Sequence, residues 1–240
     1  MKPAAPATRH ADAASKRVVP MLSPPSLARL TICYQVALRA GEDGREHLSS
    51  SYLAGLLDVD ETLVRKGMAA VGIVGRPRVG FSTGEIILRL QNILGLSQIT
   101  DAILIGCGSL GTALLRYPGF SKYGLRVTAA FDYDRDKIGQ RIGEYVVLPM
   151  EKCRSILDTF GVRVAILAVT ADAAQEIAGW LVERGVTAIW NFAPVQLKVP
   201  RHVIVRNENL AVGLAQLIHS VKHPREVGGG APAIESRSRR

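Results

Sequence analysis

The chain of 240 residues has no apolar run approaching the ~18 needed to span a bilayer. Its N-terminal "VVPML" is short and runs straight into "SPPS", which argues against a secretory leader. A cytoplasmic protein of bacterial type, with no membrane partner, is therefore expected. Cysteine is scarce: Cys33, Cys107 and Cys153 are odd in number and lack metal-ligand spacing. That excludes a disulfide framework and points to reduced thiols. Cys107 lies inside a glycine-rich segment, so its oxidation is expected to disturb whatever that segment binds. The five histidines, His10, His47, His202, His219 and His223, show neither metal nor triad spacing, and no metal site is expected. Acids are outnumbered, 21 Asp and Glu against 30 Lys and Arg, for a formal net charge of +9. That excess fits a polyanionic partner. Hydrophobic content of 48% and charged content of 21% are ordinary for a globular chain of one or two domains.

Residues 1–24 are Ala, Pro and charge without periodicity and read as a disordered arm. Residues 224–240 read as a disordered basic tail. Between them the pattern changes once. Residues 25–84 read as short helices and a Gly-rich hairpin. Residues 85–98, with Ile86, Leu90, Ile93 and Leu94 at helical spacing, read as a linker helix. Residues 99–206 alternate strand and helix patterns. "DAILIG", "LRVTAAFDYD", "VRVAILAV" and "VTAIWNFAP" are strands, and "TADAAQEIAGWLVERG" is an amphipathic helix. Strands separated by helices imply an α/β domain with a doubly wound parallel sheet. Residues 207–223 read as a last helix carrying Leu210, Leu214, Leu217 and Ile218 on one side. Exposed in a monomer, that stripe suits burial between subunits as well as packing on its own subunit.

The segment "ILIGCGSLGTALL" carries the most chemistry. An apolar strand runs into Gly106, Cys107, Gly108, Ser109, Leu110 and Gly111, and a helical pattern follows. Gly106 permits a tight turn, Gly108 lets backbone approach a pyrophosphate, and Gly111 lets the helix sit close to the strand. Asp132, at the end of the second strand, is placed for the adenosine ribose hydroxyls. An acid there favours NAD(H) over NADP(H), although Arg135 stands nearby. Tyr133 and Lys137 have the Y-x-x-x-K spacing of some reductases, but at the adenine end, so chance is the better account. No proton donor for an oxidoreductase stands out, and little chain remains for a substrate domain.

In the first domain, "HLSSSYLAGLLDVDETLVRKGMAAVG" supplies two short helices. Ser49 or Ser50 caps the first, which carries Leu53, Leu56 and Leu57. Asp60 caps the second, which buries Leu63, Val64, Met68 and Val71 and leaves Arg65 and Lys66 outside. The hairpin tip "GIVGRPRVGF" adds Arg76 and Arg78. Residues 63–80 thus hold four bases and no acid, while Glu42, Asp43, Glu46, Asp58, Asp60 and Glu61 precede them. A helix face beside a basic hairpin fits a winged helix-turn-helix on double-stranded DNA. A charged face on a protein-interaction domain would share the pattern.

Taken together, "LVRKGMAAVGIVGRPRVGF", "IGCGSLGTALLRYPGF", "FDYDRDKIG", "NFAPV" and "VRNENLAVGL" resemble the Rex family of redox-sensing transcriptional repressors. The resemblance covers about residues 26–222. It implies a winged helix, a Rossmann domain and a C-terminal helix swapped between the subunits of a homodimer. It implies a repressor that leaves a palindromic operator when NADH binds, and no catalysis. By position, Arg65 and Lys66 match the recognition helix, and the glycine loop and Asp132 match the cofactor cradle. Tyr117 matches a switch-region tyrosine, and Asn191, Phe192, Ala193 and Pro194 match the nicotinamide-side segment. Five departures stand out. Asn209 and Leu210 replace an aspartate and an aromatic, and Gln35 replaces the arginine that pairs with that aspartate. Gly67 replaces an aspartate. The wing's Arg-Gly-Val-Gly-Tyr is Pro-Arg-Val-Gly-Phe. The usual Thr-Val-Pro after the third strand is changed around Ala168, Val169 and Thr170. An oxidoreductase, or a DNA-binding regulator with altered nucleotide response, remain the alternatives.

Overall fold

The computed structural model describes residues 22–223. The expected basic tail and all but the end of the expected arm lie outside the described residues. The chain divides into two compact units, meeting between Leu94 and Gly95.

The first unit opens with α1 (Pro24–Glu42), 19 residues long where shorter helices were expected. Ser23 and Pro24, read as the end of the disordered arm, are its cap and its first residue. Ser23 caps the helix through the Ser26 amide, and proline occupies the first turn, where its missing N–H costs nothing. Leu30, Cys33, Tyr34, Ala37 and Ala40 form its buried stripe. β1 (His47–Leu48) leads into α2 (Ser50–Leu57), capped by Ser49, and α3 (Glu61–Ala70), capped by Asp60. Val64, Met68 and Val71 are buried as expected, whereas Leu63 and Leu56 are exposed. The helices are too short to turn every apolar residue inward. Residues 72–81 do not form a two-stranded hairpin of their own. The tip is a tight turn closed by an Arg76–Gly80 bridge, and β2 (Phe81–Ser82) pairs antiparallel with β1, from before α2. The segment read as a linker is α4 (Thr83–Ile93), which belongs to this unit. It packs on α1, with Ile86 and Leu90 fully buried.

The second unit holds a seven-stranded sheet. Its strands are β3 (Thr100–Ile105), β4 (Leu125–Asp132), β5 (Arg141–Ile142), β6 (Tyr145–Pro149), β7 (Val164–Leu167), β8 (Ala188–Asn191) and β9 (Ile204–Asn207), in the spatial order β5-β6-β4-β3-β7-β8-β9. All neighbours are parallel except the β5–β6 edge pair. Without β5 this is the doubly wound Rossmann order, reversing direction across β3. The sequence reading found β3, β4, β7 and β8 and missed β6 and the edge strands β5 and β9. It also expected helices at each crossover, but β4 reaches β6 through turns. Gly139 and Gly143 there have φ of 86° and 61°, which breaks any helix. Alternate residues feed two cores, Ile103 and Ile105 on one face of the sheet and Leu104 on the other. α5 (Ser109–Leu115), α6 (Cys153–Phe160) and α7 (Ala171–Glu183) complete the domain. α8 (Leu210–Lys222) buries no residue; Leu210, Leu214, Leu217 and Ile218 are all exposed. No described helix is long and apolar enough to cross a membrane.

Candidate functional site

The glycine loop lies at the carboxyl end of β3, beside the point where the sheet order reverses. Gly106 has φ +95°, and a Cβ there would run into the Ala168 carbonyl at the end of β7. A Cβ on Gly111 would overlap the Gly106 carbonyl oxygen, so α5 can approach the strand only because residue 111 lacks a side chain. Gly108 is different: a Cβ would meet nothing within 4 Å. That open space leaves room for a ligand to approach the backbone at Gly108.

Asp132 stands against this loop. Its Oδ2 accepts the Cys107 amide at 2.7 Å and the Lys137 ammonium at 3.3 Å, and its Oδ1 accepts the Asp134 amide at 2.9 Å. Burial alone pushes the carboxyl upward. Those two amides and the lysine outweigh it and hold the group below its ordinary range. Asp132 is therefore a clasp between loop and strand as well as a candidate ribose acceptor, with lone pairs left on Oδ1. Lys137, half of the Y-x-x-x-K spacing, is an ion-pair partner at this end of the sheet. It also pairs with Asp134 at 3.4 Å. It offsets the acid's charge, which weakens the sequence argument against a 2′-phosphate. The Cys107 thiol is buried, donates to the Phe131 carbonyl, and is pushed up to about 11 by burial and by Asp132. A buried thiol held in its protonated form is a poor target for oxidation.

Across the crevice, the "NFAPV" segment follows β8. Asn191 is fully buried. Its Nδ2 donates to the Val195 carbonyl and to Asn207 Oδ1, both at 2.8 Å, and its Oδ1 accepts the Ala193 amide. Its side chain is spent on shaping the loop, so Phe192, Ala193 and Pro194 are presented by it rather than alongside it. Tyr117 is half exposed and lines a cleft of about 490 Å³ with Phe120, Leu125 and Tyr145. No glycine-loop residue lines that cleft. Tyr117 instead connects through rings: Phe120 at 5.1 Å, Phe120 to Trp190 at 5.8 Å, and Trp190 to Phe192 at 4.9 Å. Sequence reasoning passed over Trp190. Its indole donates to Glu208, one residue before Asn209. Asn209 itself caps α8, its Oδ1 accepting from Ala211 and Val212.

In the first unit, Arg65, Lys66, Arg76 and Arg78 are all exposed. A cleft of about 670 Å³ between α3 and the wing is lined by Arg65, Arg76 and Arg78 together with Ser50 and Glu61. Arg78 has φ +61°, where the resemblance expects glycine. The left-handed conformation costs an ordinary residue roughly 1–2 kcal/mol. The charge segregation seen along the sequence is closer-grained in space, because Glu61 pairs with Arg65 one turn later. No group of three or more His, Cys, Asp or Glu among the described residues could hold a metal.

A basic helix-and-wing unit carried on the same chain as a dinucleotide crevice defines a nucleotide-linked DNA-binding regulator. A CoA binding domain model matches residues 97–195. A redox-sensing transcriptional repressor Rex of Treponema denticola is 38% identical over 85% of this chain and 96% of its own. A Rex 2 of Thermotoga maritima is 35% identical over 74% of this chain and 87% of its own. Among solved structures, RSP, a Rex-family repressor, in complex with β-NAD+ and operator DNA superposes with a TM-score of 0.76 at 29% identity. That match covers 84% of this chain and 93% of the RSP chain. RSP with β-NADH gives 0.75 at 28%, over 84% and 95%. The chain belongs to the Rex family of redox-sensing transcriptional repressors.

Proposed function

We propose that this protein is a homodimeric repressor that binds a palindromic operator through α3 and the wing and leaves it when NADH occupies the glycine loop. The observation that carries the reading is the loop itself. Gly106 and Gly111 are closed by backbone, and Gly108 alone is open, which is the geometry of a pyrophosphate cradle. It shares a chain with four exposed bases on a helix and wing. RSP binds operator DNA in a complex with NAD+, and a complex with NADH is also known. The energetic requirement is linkage: NADH must bind the DNA-free arrangement more tightly, and operator affinity falls by that same factor.

Dimerisation rests on α8. A helix that exposes Leu210 at 78%, Leu217 at 62% and Val221 at 72% is expected to bury that stripe elsewhere, and a second subunit supplies the surface. The two-fold axis then demands a palindromic site. Acting on chromosomal DNA, the protein works in the cytoplasm. The proposal assigns it no turnover, so NADH absorbance should stay constant with aldehydes and 2-oxo acids.

The deciding experiment titrates NADH and NAD+ into protein bound to operator at fixed salt. Release by NADH at concentrations where NAD+ does nothing supports the reading. Equal release by both would leave a nucleotide-responsive regulator blind to redox state. That second reading has one observation in its favour. Asn209 and Gln35 are neutral amides, and Asn209 already spends its oxygen capping α8.

A further inference from the structure

Arg65 is not a free side chain. Its Nε donates to Ser50 Oγ at 3.2 Å, and its Nη2 reaches Glu61 Oε2 directly. Ser50 Oγ in turn donates to the same Glu61 oxygen at 2.9 Å. The three groups close a triangle that joins the first turn of α2 to the first turn of α3. An exposed Glu–Arg pair four residues apart on one helix fixes little by itself. Here a hydroxyl from a second helix bonds to both partners, which ties the guanidinium to the start of α2 as well as to its own helix.

The geometry of that plane matters. Nε and Nη2 form one edge of the guanidinium, and Ser50 and Glu61 fill it. The other edge, two parallel N–H bonds from Nη1 and Nη2, has no hydrogen-bond partner among the described residues. The arginine side chain is 62% exposed, at the cleft between α3 and the wing. Two parallel donors at this spacing match the O6 and N7 acceptors of guanine in the major groove. A loose arginine would as readily take a phosphate. The Glu61 carboxylate opposes that, because it repels phosphate oxygens beside the very group that would bind them.

We propose that Glu61 and Ser50 are positioning residues that decide which base Arg65 reads, holding its outer fork for guanine and turning it away from the DNA backbone. This rests on α3 being the helix that enters the groove. Neither residue touches DNA in this account; both act through Arg65. The acid therefore lowers affinity for DNA in general while raising selectivity for one base pair in each half-site.

The test uses the full-length protein and a duplex library with a randomised centre, with bound molecules sequenced after selection. The wild type should recover a palindrome with guanine at one fixed position per half-site. Arg65→Ala should lose that guanine. Glu61→Gln and Ser50→Ala should lower its enrichment about tenfold, within the range one bidentate base contact supplies. Both should bind unselected duplex as tightly as the wild type or more so. A uniform weakening across all sequences would show a merely structural role and overturn the proposal. So would guanine enrichment undiminished in Glu61→Gln and Ser50→Ala while Arg65→Ala loses it, and that result would leave the repressor reading standing. Recovery of no consensus by the wild type would overturn both. Thermal melts of each variant identify any loss that reflects unfolding, and Ser50→Ala and Glu61→Gln, at different ends of the triangle, give two independent readings.

Discussion

The amide of Cys107 donates to Asp132 Oδ2 across 2.7 Å, fastening the turn of the glycine loop to the end of the neighbouring strand. The acid that the sequence marks for a ribose is thus also a structural part of the phosphate loop. Removing its charge should therefore be felt without any nucleotide present.

Asp132→Asn is expected to cost about 1–3 kcal/mol at neutral pH, the penalty of weakening the acceptor for two amides and a lysine. The pH dependence has a definite sign. The folded carboxyl lies below its ordinary 3.8, so its contribution is present above that value and is lost as pH falls through the lower folded one. Urea midpoints measured from pH 6 downward should show an acid-side decline in the wild type that is shallower in the variant. Equal declines would show that Asp132 is not one of the groups responsible.

The three loop glycines should separate cleanly. Gly111→Ala places a methyl on the Gly106 carbonyl and should destabilise the second unit severely. Gly108→Ala meets open space and should melt within about 1 kcal/mol of the wild type, yet bind NADH at least about tenfold more weakly. Circular dichroism melts and NADH fluorescence titration check the pair. Unchanged binding in Gly108→Ala would mean that the pyrophosphate does not lie over this loop.

Gly67 sits inside α3 with room for a methyl, since a Cβ there meets nothing within 4 Å. Gly67→Ala should stabilise the helix by about 1 kcal/mol. In calorimetry the first unit's transition should rise by about 4–8 °C. No rise would mean that the glycine serves a close approach made only in the complex.

All three thiols should resist alkylation in the native protein. Burial pushes Cys33 and Cys107 up to about 11 and Cys153 up to about 12. At pH 8 iodoacetamide should label Cys33 and Cys107 on the order of a hundredfold, and Cys153 on the order of a thousandfold, more slowly than in the unfolded chain, followed by mass spectrometry. Rapid native labelling of Cys107 would show that the loop opens far enough to expose its thiol.

Local pattern was enough for much of this molecule. The strand–glycine–helix order, the caps at Ser49 and Asp60, and the alternating apolar strands are written in near neighbours, because backbone geometry and period are local properties. Pattern was misleading where a signal has two meanings. Ser23 and Pro24 read as the end of a disordered arm, yet proline in a first turn begins α1. Ile86 and Leu90 read as a linker because periodicity does not say which body a helix packs on.

What only the folded chain decided are the relationships between distant residues. Asn191 turned from a lining residue into a buried strut once Val195 and Asn207 were beside it. Trp190 gained a role from Phe120 and Phe192. Arg65 looked like an unopposed charge until Ser50, on another helix, completed its triangle with Glu61. Composition and spacing determined the kinds of group available and the elements that carry them. Which hydrogen bonds those groups spend internally, and which edges they leave for a partner, depends on directions in space that a linear string does not hold.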